Sequence, residues 1–153
     1  MELILWRHAE AEDKGHKSDL ERDLTKHGRK QAERMAQWLK PRLPEKCRVI
    51  VSPSNRTLQT VEPLGVEFAV DDRVAPDVSS QSVLEAAGWP RAGGTVMVVG
   101  HQPTLGEVAA QLLGADGGVA MPKGAAWWFA TKGEGRNAET VLVAVMKPDL
   151  ARE

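Results

Sequence analysis

The sequence predicts an α/β fold: one domain over residues 1–153, three layers deep, with a mostly parallel central sheet carrying helices on both faces. Three observations carry this expectation. The runs Leu3–Trp6, Cys47–Val51 and Thr95–Val99 are short, rich in apolar residues and stop abruptly at polar ones, as buried strands do. The segments between them repeat apolar residues at helical spacing. The last third of the chain ends in two strand-like runs joined by a turn rich in Gly and Asn, the pattern of an antiparallel hairpin.

Each element follows in order. Leu3-Ile4-Leu5-Trp6 is a buried strand that delivers Arg7 and His8 at its carboxyl end, the edge where open α/β sheets place ligands. Glu10 to Arg22 is polar and loop-like, and its position after a strand end suits the rim of a pocket. Ala32, Met35, Ala36 and Leu39 then recur at i, i+3, i+4 and i+7, predicting a half-buried helix with Thr25 as N-cap and Pro41 and Pro44 as stops. The strand Cys47–Val51 ends in Ser52-Pro53-Ser54-Asn55-Arg56, residues suited to caps and first turns, so a second helix starts there with Arg56 near its N-terminus.

Val66 to Val70 is expected as a short edge strand and Asp71 to Ser82 as a loop. A short helix through Val83, Leu84, Ala86 and Ala87 closes at Gly88. Thr95–Val99, the most strand-like run, stops at Gly100-His101, and Thr104 to Leu113 is helical by pattern with Gly114 as its end. Ala125 to Thr131 and Thr140 to Met146 form the hairpin around Gly133 to Asn137.

Composition excludes several functional classes. With 20 basic and 21 acidic residues there is no global field to draw nucleic acid or an anionic membrane, so any anion site is local. No apolar run approaches the ~18 residues of a membrane span. The single cysteine, Cys47, cannot form an intrachain disulfide and no secretory segment opens the chain, so a cytoplasmic setting is expected. Composition is silent on oligomeric state.

The chemistry lies at the strand ends. In a parallel sheet the carboxyl ends share one edge, so Arg7, His8, Arg56 and His101 converge. Two arginines match phosphate oxygens in bidentate fashion, and a helix N-terminus beside Arg56 adds backbone N–H groups; phosphate is the natural occupant. A histidine among cations has a lowered pKa, so one of the pair can serve as a neutral nucleophile while the other donates to the phosphoryl group. A lone arginine at a strand end is more often an ion-pair partner, and a lone buried histidine is usually just hydrogen-bonded. Four such groups at three strand ends make a stronger pattern. His16 and His27 lie in polar surroundings, and no histidine has the neighbours of a zinc site, so neither a metal nor a cofactor is expected.

Arg7-His8-Ala9-Glu10, Leu24-Thr25-x-x-Gly28-x-x-Gln31-Ala32, Ser52-Pro53-x-x-Arg56-x-x-Gln59-Thr60 and Gly100-His101 resemble, in order, the four signatures of the histidine phosphatase superfamily, whose fold is phosphoglycerate mutase-like. Short length, the lack of an inserted cap and the segment Lys123-Gly124-Ala125-x-Trp127-Trp128 look most like its SixA-type phosphohistidine phosphatases. The resemblance implies His8 as nucleophile, a covalent phosphohistidine intermediate, and a phosphate pocket of Arg7, Arg56 and His101 with Arg22 as a further contact. Ala9 stands where the motif usually has glycine, a change of one methyl that a backbone with φ < 0 tolerates.

Superfamily members that cleave phosphate esters use a carboxylic acid to protonate the leaving alkoxide; Asp77 and Glu85 are the candidates here, Asp77 in a loop and Glu85 on the solvent side of a helix. Imidazole, with a pKa near ~6.5, leaves from a phosphoramidate with much less help. The weak acid signal and the short chain therefore favour phosphohistidine on a partner protein, such as a histidine phosphotransfer domain, bound at an open pocket. The arginines and His101 would supply the charge that Mg²⁺ supplies elsewhere, a metal-independent reaction. Two alternatives are a phosphatase of small monoesters with Asp77 or Glu85 as acid, and a non-catalytic phosphate-binding module.

Overall fold

Alternation of side chains along the strands divides this protein into two apolar cores on either side of one sheet. In the computed structural model, which describes residues 1–151, strand β1 (Glu2–Arg7) pairs in parallel with β4 (Thr95–Gly100), and β4 with β2 (Cys47–Val51). Leu3 and Leu5 face one core with Val96 and Val98; Ile4 and Trp6 face the other with Met97 and Val99. Being covered on both faces, these strands read as continuous apolar runs rather than as alternating ones.

Helices supply the covers. Val83 and Leu84 of α3 (Ser80–Ala87) and Leu105 and Val108 of α4 (Thr104–Leu112) pack on the Leu3 side. Met35 and Leu39 of α1 (Lys26–Leu39) and Val61 of α2 (Asn55–Val61) pack on the Ile4 side. The three expected layers follow. Caps begin three of the helices: Thr25 Oγ1 accepts from Gly28 N–H at 2.9 Å, and Ser54 and Ser79 accept from Thr57 and Ser82 N–H at 3.3 and 3.1 Å. Capping by Ser79 starts α3 three residues before the apolar pattern does.

The six-stranded sheet has the order β3-β2-β4-β1-β5-β6, with β3 at Ala69–Val70, β5 at Ala126–Lys132 and β6 at Glu139–Met146. One detail departs from expectation, and a second is one that the sequence left open. The strand expected over Val66 to Val70 shrinks to two exposed residues, because Val66 and Phe68 find no cover and only Ile50 and Val51 pair with it. The hairpin docks through β5, antiparallel, directly against β1, so the opening strand lies inside the sheet. Among the described residues no helix is long and apolar enough to cross a membrane.

Register decides where the site falls. Arg7 pairs with Gly100 and Val51 with Val99, so three strands stop at one level of one edge. His8 N–H donates to Gly100 O at 3.1 Å and Ser52 N–H to Val99 O at 3.1 Å, carrying that alignment one residue further.

Candidate active site

A cavity of about 280 Å³ opens at this edge, and its wall includes Arg7, His8, Arg22, Arg56, Asp77 and His101. Six of the seven residues singled out for the site from sequence therefore meet in one place. Glu85 does not join them. It lies exposed on α3, where Gln81 Nε2 donates to its carboxylate at 3.2 Å, so its part in the ester alternative has no structural footing.

His8 is buried, and its Nδ1 lies 2.7 Å from the carbonyl oxygen of Ala9. A carbonyl only accepts, so Nδ1 carries the hydrogen and the neutral ring keeps its lone pair on Nε2. Burial is the main force on its charge state, lowering the pKa from 6.5 to about 4; the Ala9 hydrogen bond opposes this, and Arg56, Arg7 and Arg22 reinforce it. At neutral pH the ring is an uncharged base facing cations. His101, also buried, has its ring centre 5.4 Å from that of His8 and its Nε2 2.7 Å from Ser52 Oγ. Burial first, then Arg56 and His8, push its pKa down to about 3. When the Ser52 hydroxyl donates to Nε2, the hydrogen of His101 sits on Nδ1.

The arginines are held from behind. Arg7 Nη1 donates to Met121 O at 2.8 Å, while Arg56, second residue of α2, donates from Nη1 to Asp19 O at 2.7 Å and from Nη2 to Asp19 Oδ2 at 3.0 Å. Arg22 reaches the rim through Nε to Glu12 O at 2.8 Å and Nη1 to Asp19 Oδ1 at 3.2 Å. Arg7 Nε, Arg56 Nε and His101 Nδ1 are buried and have no hydrogen-bond partner. Buried donors are normally satisfied, so two arginine donors without partners on one cavity wall, joined by His101 Nδ1 when Ser52 donates to Nε2, describe a site completed by an acceptor with several oxygens. Among the described residues no cluster of His, Cys, Asp and Glu could hold a metal ion.

The motif residues outside this wall hold it in shape. Ala9 N–H donates to Thr60 Oγ1 at 3.0 Å, Glu10 N–H to Gln31 Oε1 at 2.9 Å, and Leu24 N–H to Gln59 Oε1 at 2.7 Å. Gly28 is pressed against Glu10, and a Cβ there would overlap the Glu10 carbonyl oxygen. Ala9 is absent from the positive-φ positions, so its methyl costs no backbone strain, whereas Asp77 sits at φ 65°.

Sequence reasoning missed Asp19, Lys123 and Gln102 on the cavity wall, and the bond of Ser52 to His101. Asp19 had one local signal, a carboxylate three residues before Arg22. Lys123 opens the segment before the last hairpin, but nothing there marked it for the site, since only the docking of β5 beside β1 brings it to the rim.

Known proteins resemble this chain in sequence and in fold. The model of the histidine phosphatase superfamily (branch 1) matches residues 3–81. The chain is 31% identical over 129 residues to the phosphohistidine phosphatase SixA homolog of Haemophilus influenzae, covering 74% of this chain and 78% of that one. With the phosphohistidine phosphatase SixA of Escherichia coli it is 32% identical over 120 residues, covering 73% and 74%. The structure of the protein histidine phosphatase SixA complexed with tungstate superposes with a TM-score of 0.78 at 25% identity, over 97% of this chain and 98% of that one. By its strand-end signatures, its pocket and these relatives, the chain belongs to the histidine phosphatase superfamily.

Proposed function

We propose that this protein is a phosphohistidine phosphatase that removes phosphate from a partner protein through a covalent intermediate on His8. The observation that carries the reading is the set of three buried, unpartnered nitrogens, Arg7 Nε, Arg56 Nε and His101 Nδ1, beside a neutral His8. The phosphoryl group sits on Arg7, Arg56 and His101, with Arg22 at its outer side. His8 Nε2 attacks phosphorus, the bond from phosphorus to the substrate imidazole breaks, and the leaving nitrogen takes a proton from water. Water then attacks the phosphohistidine on His8, releasing inorganic phosphate and restoring the neutral ring. The charge that gathers on the phosphoryl oxygens meets donors already in place, the kind of preorganisation that lowers barriers most.

Relatives named phosphohistidine phosphatases, and a similar structure complexed with tungstate, a tetrahedral oxyanion like phosphate, support the reading. We further propose a histidine phosphotransfer domain as the partner, a metal-independent reaction and a cytoplasmic setting, the last supported by the unpaired Cys47. Asp77 on the cavity wall supports a second reading, a phosphatase of small monoesters with Asp77 as acid.

The test is a substrate panel with labelled phosphate, run with and without a chelator. Wild type is expected to trap label and to turn over a phosphohistidine protein faster than a sugar phosphate, unaffected by chelation, while His8→Ala traps none. Preference for the ester, lost in Asp77→Asn, would move the assignment to the second reading. No trapping at all would leave a phosphate-binding module.

A further inference from the structure

We infer that Asp19 is a positioning residue, a fixed counter-ion that ties Arg22 to Arg56 and sets the direction in which the buried Arg56 guanidinium faces the phosphoryl group. The inference deepens the phosphatase reading and rests on it. Its ground is the way the contacts are divided. The two carboxylate oxygens of Asp19 serve different arginines, Oδ1 taking Arg22 Nη1 at 3.2 Å and Oδ2 taking Arg56 Nη2 at 3.0 Å. The main-chain oxygen of the same residue takes Arg56 Nη1 at 2.7 Å. Asp19 thus contacts both Nη atoms of Arg56, using one N–H of each, while Nε is buried and unpartnered.

Charge gives the arrangement its purpose. Arg7, Arg22, Arg56 and Lys123 all line the cavity, and the Arg56 side chain is only 4% exposed. Cations held this close repel one another until an anion arrives. Among the described residues, Asp19 is the carboxylate paired with these arginines, on a three-residue turn (Asp19–Glu21) that leaves its own side chain 46% exposed. Burial opposes ionisation of Asp19, but hydrogen bonds from Arg56 and Arg22 outweigh it and hold the carboxyl below its ordinary pKa. It therefore stays charged at neutral pH. A carboxylate on that wall has two opposed effects on a bound phosphate: it aims the donors, and it repels the dianion. Aiming speeds the transfer, and repulsion loosens the inorganic phosphate that remains when hydrolysis is complete.

These effects separate in Asp19→Asn. The substitution keeps the shape and the main-chain contact to Arg56 while removing the charge. Turnover of a phosphohistidine protein is expected to fall on the order of tenfold through lost aim. Inorganic phosphate, measured as a competitive inhibitor, is expected to bind more tightly than to wild type. Asp19→Glu, which restores the charge, should recover part of the turnover and loosen phosphate again. Melting temperatures of both variants, run alongside, should stay near wild type. Unchanged turnover in Asp19→Asn would overturn the inference. So would a fall in turnover accompanied by weaker phosphate binding and a lower melting temperature, the signature of a merely structural residue. If wild type itself neither turns over nor traps phosphate, the phosphatase reading fails, and this inference with it.

Discussion

At His8, burial and charge push the same way, and the consequence can be read in a pH profile. A histidine with an ordinary pKa of ~6.5 would be half protonated at that pH and would lose its nucleophilic lone pair below it. His8, lowered to about 4, keeps its lone pair through the mildly acid range. The rate constant kcat/KM, which reports the free enzyme, is expected to show no loss from His8 protonation as pH falls from 8 to about 5. A fall centred near pH 6.5, caused by His8 and absent when phosphoenzyme formation is bypassed, would contradict this electrostatic account. Arg7→Ala and Arg56→Ala should each remove about 3 kcal/mol of transition-state stabilisation, read from kcat/KM. Full activity in both variants would dissolve the pocket assignment. The residue chemistry of His8 and Arg7 was legible because both sit beside an apolar run that locates them. Asp19 was not, since its meaning lies in Arg56, 37 positions away.

Among the elements, the first helix and the loop before it act as one unit. Thr25 caps α1 and also donates to Glu10 Oε2 at 2.7 Å, while Gly28 lets the first turn press on the Glu10 backbone. Gly28→Ala inserts a methyl where there is no room, so it should cost about 1–3 kcal/mol in urea unfolding and displace the loop that carries Arg22. Wild-type stability and activity in that variant would show that the contact is slack. The periodicity of α1 and its cap were readable because both are local. The hairpin was readable as a hairpin, but its docking was not: β5 joins β1 through pairs such as Leu5 with Trp127, a match between distant segments. The same docking lays Met121 against Arg7 and donates Gly124 N–H to His8 O at 2.9 Å.

For the molecule as a whole, the two buried histidines couple the site to stability. Each has a folded pKa below the ordinary 6.5, about 4 for His8 and about 3 for His101. Between those values and 6.5 the unfolded chain binds more protons than the folded one, so stability is fully present above pH 6.5 and is lost as pH falls toward 4 and below. The urea midpoint of wild type is expected to drop between pH 7 and pH 5 by more than that of His8→Asn. An equal drop in the two would show that His8 carries none of the linkage. The sequence by itself determined the residue types at the strand ends, the helix caps and the layered α/β class, because these depend on neighbours within a few positions. Only the tertiary structure decided that β1 lies between β4 and β5, that Asp77 joins the cavity wall, and that Asp19 and Lys123 join the site. Those outcomes depend on register and packing between segments far apart in the chain, where no local pattern carries the information.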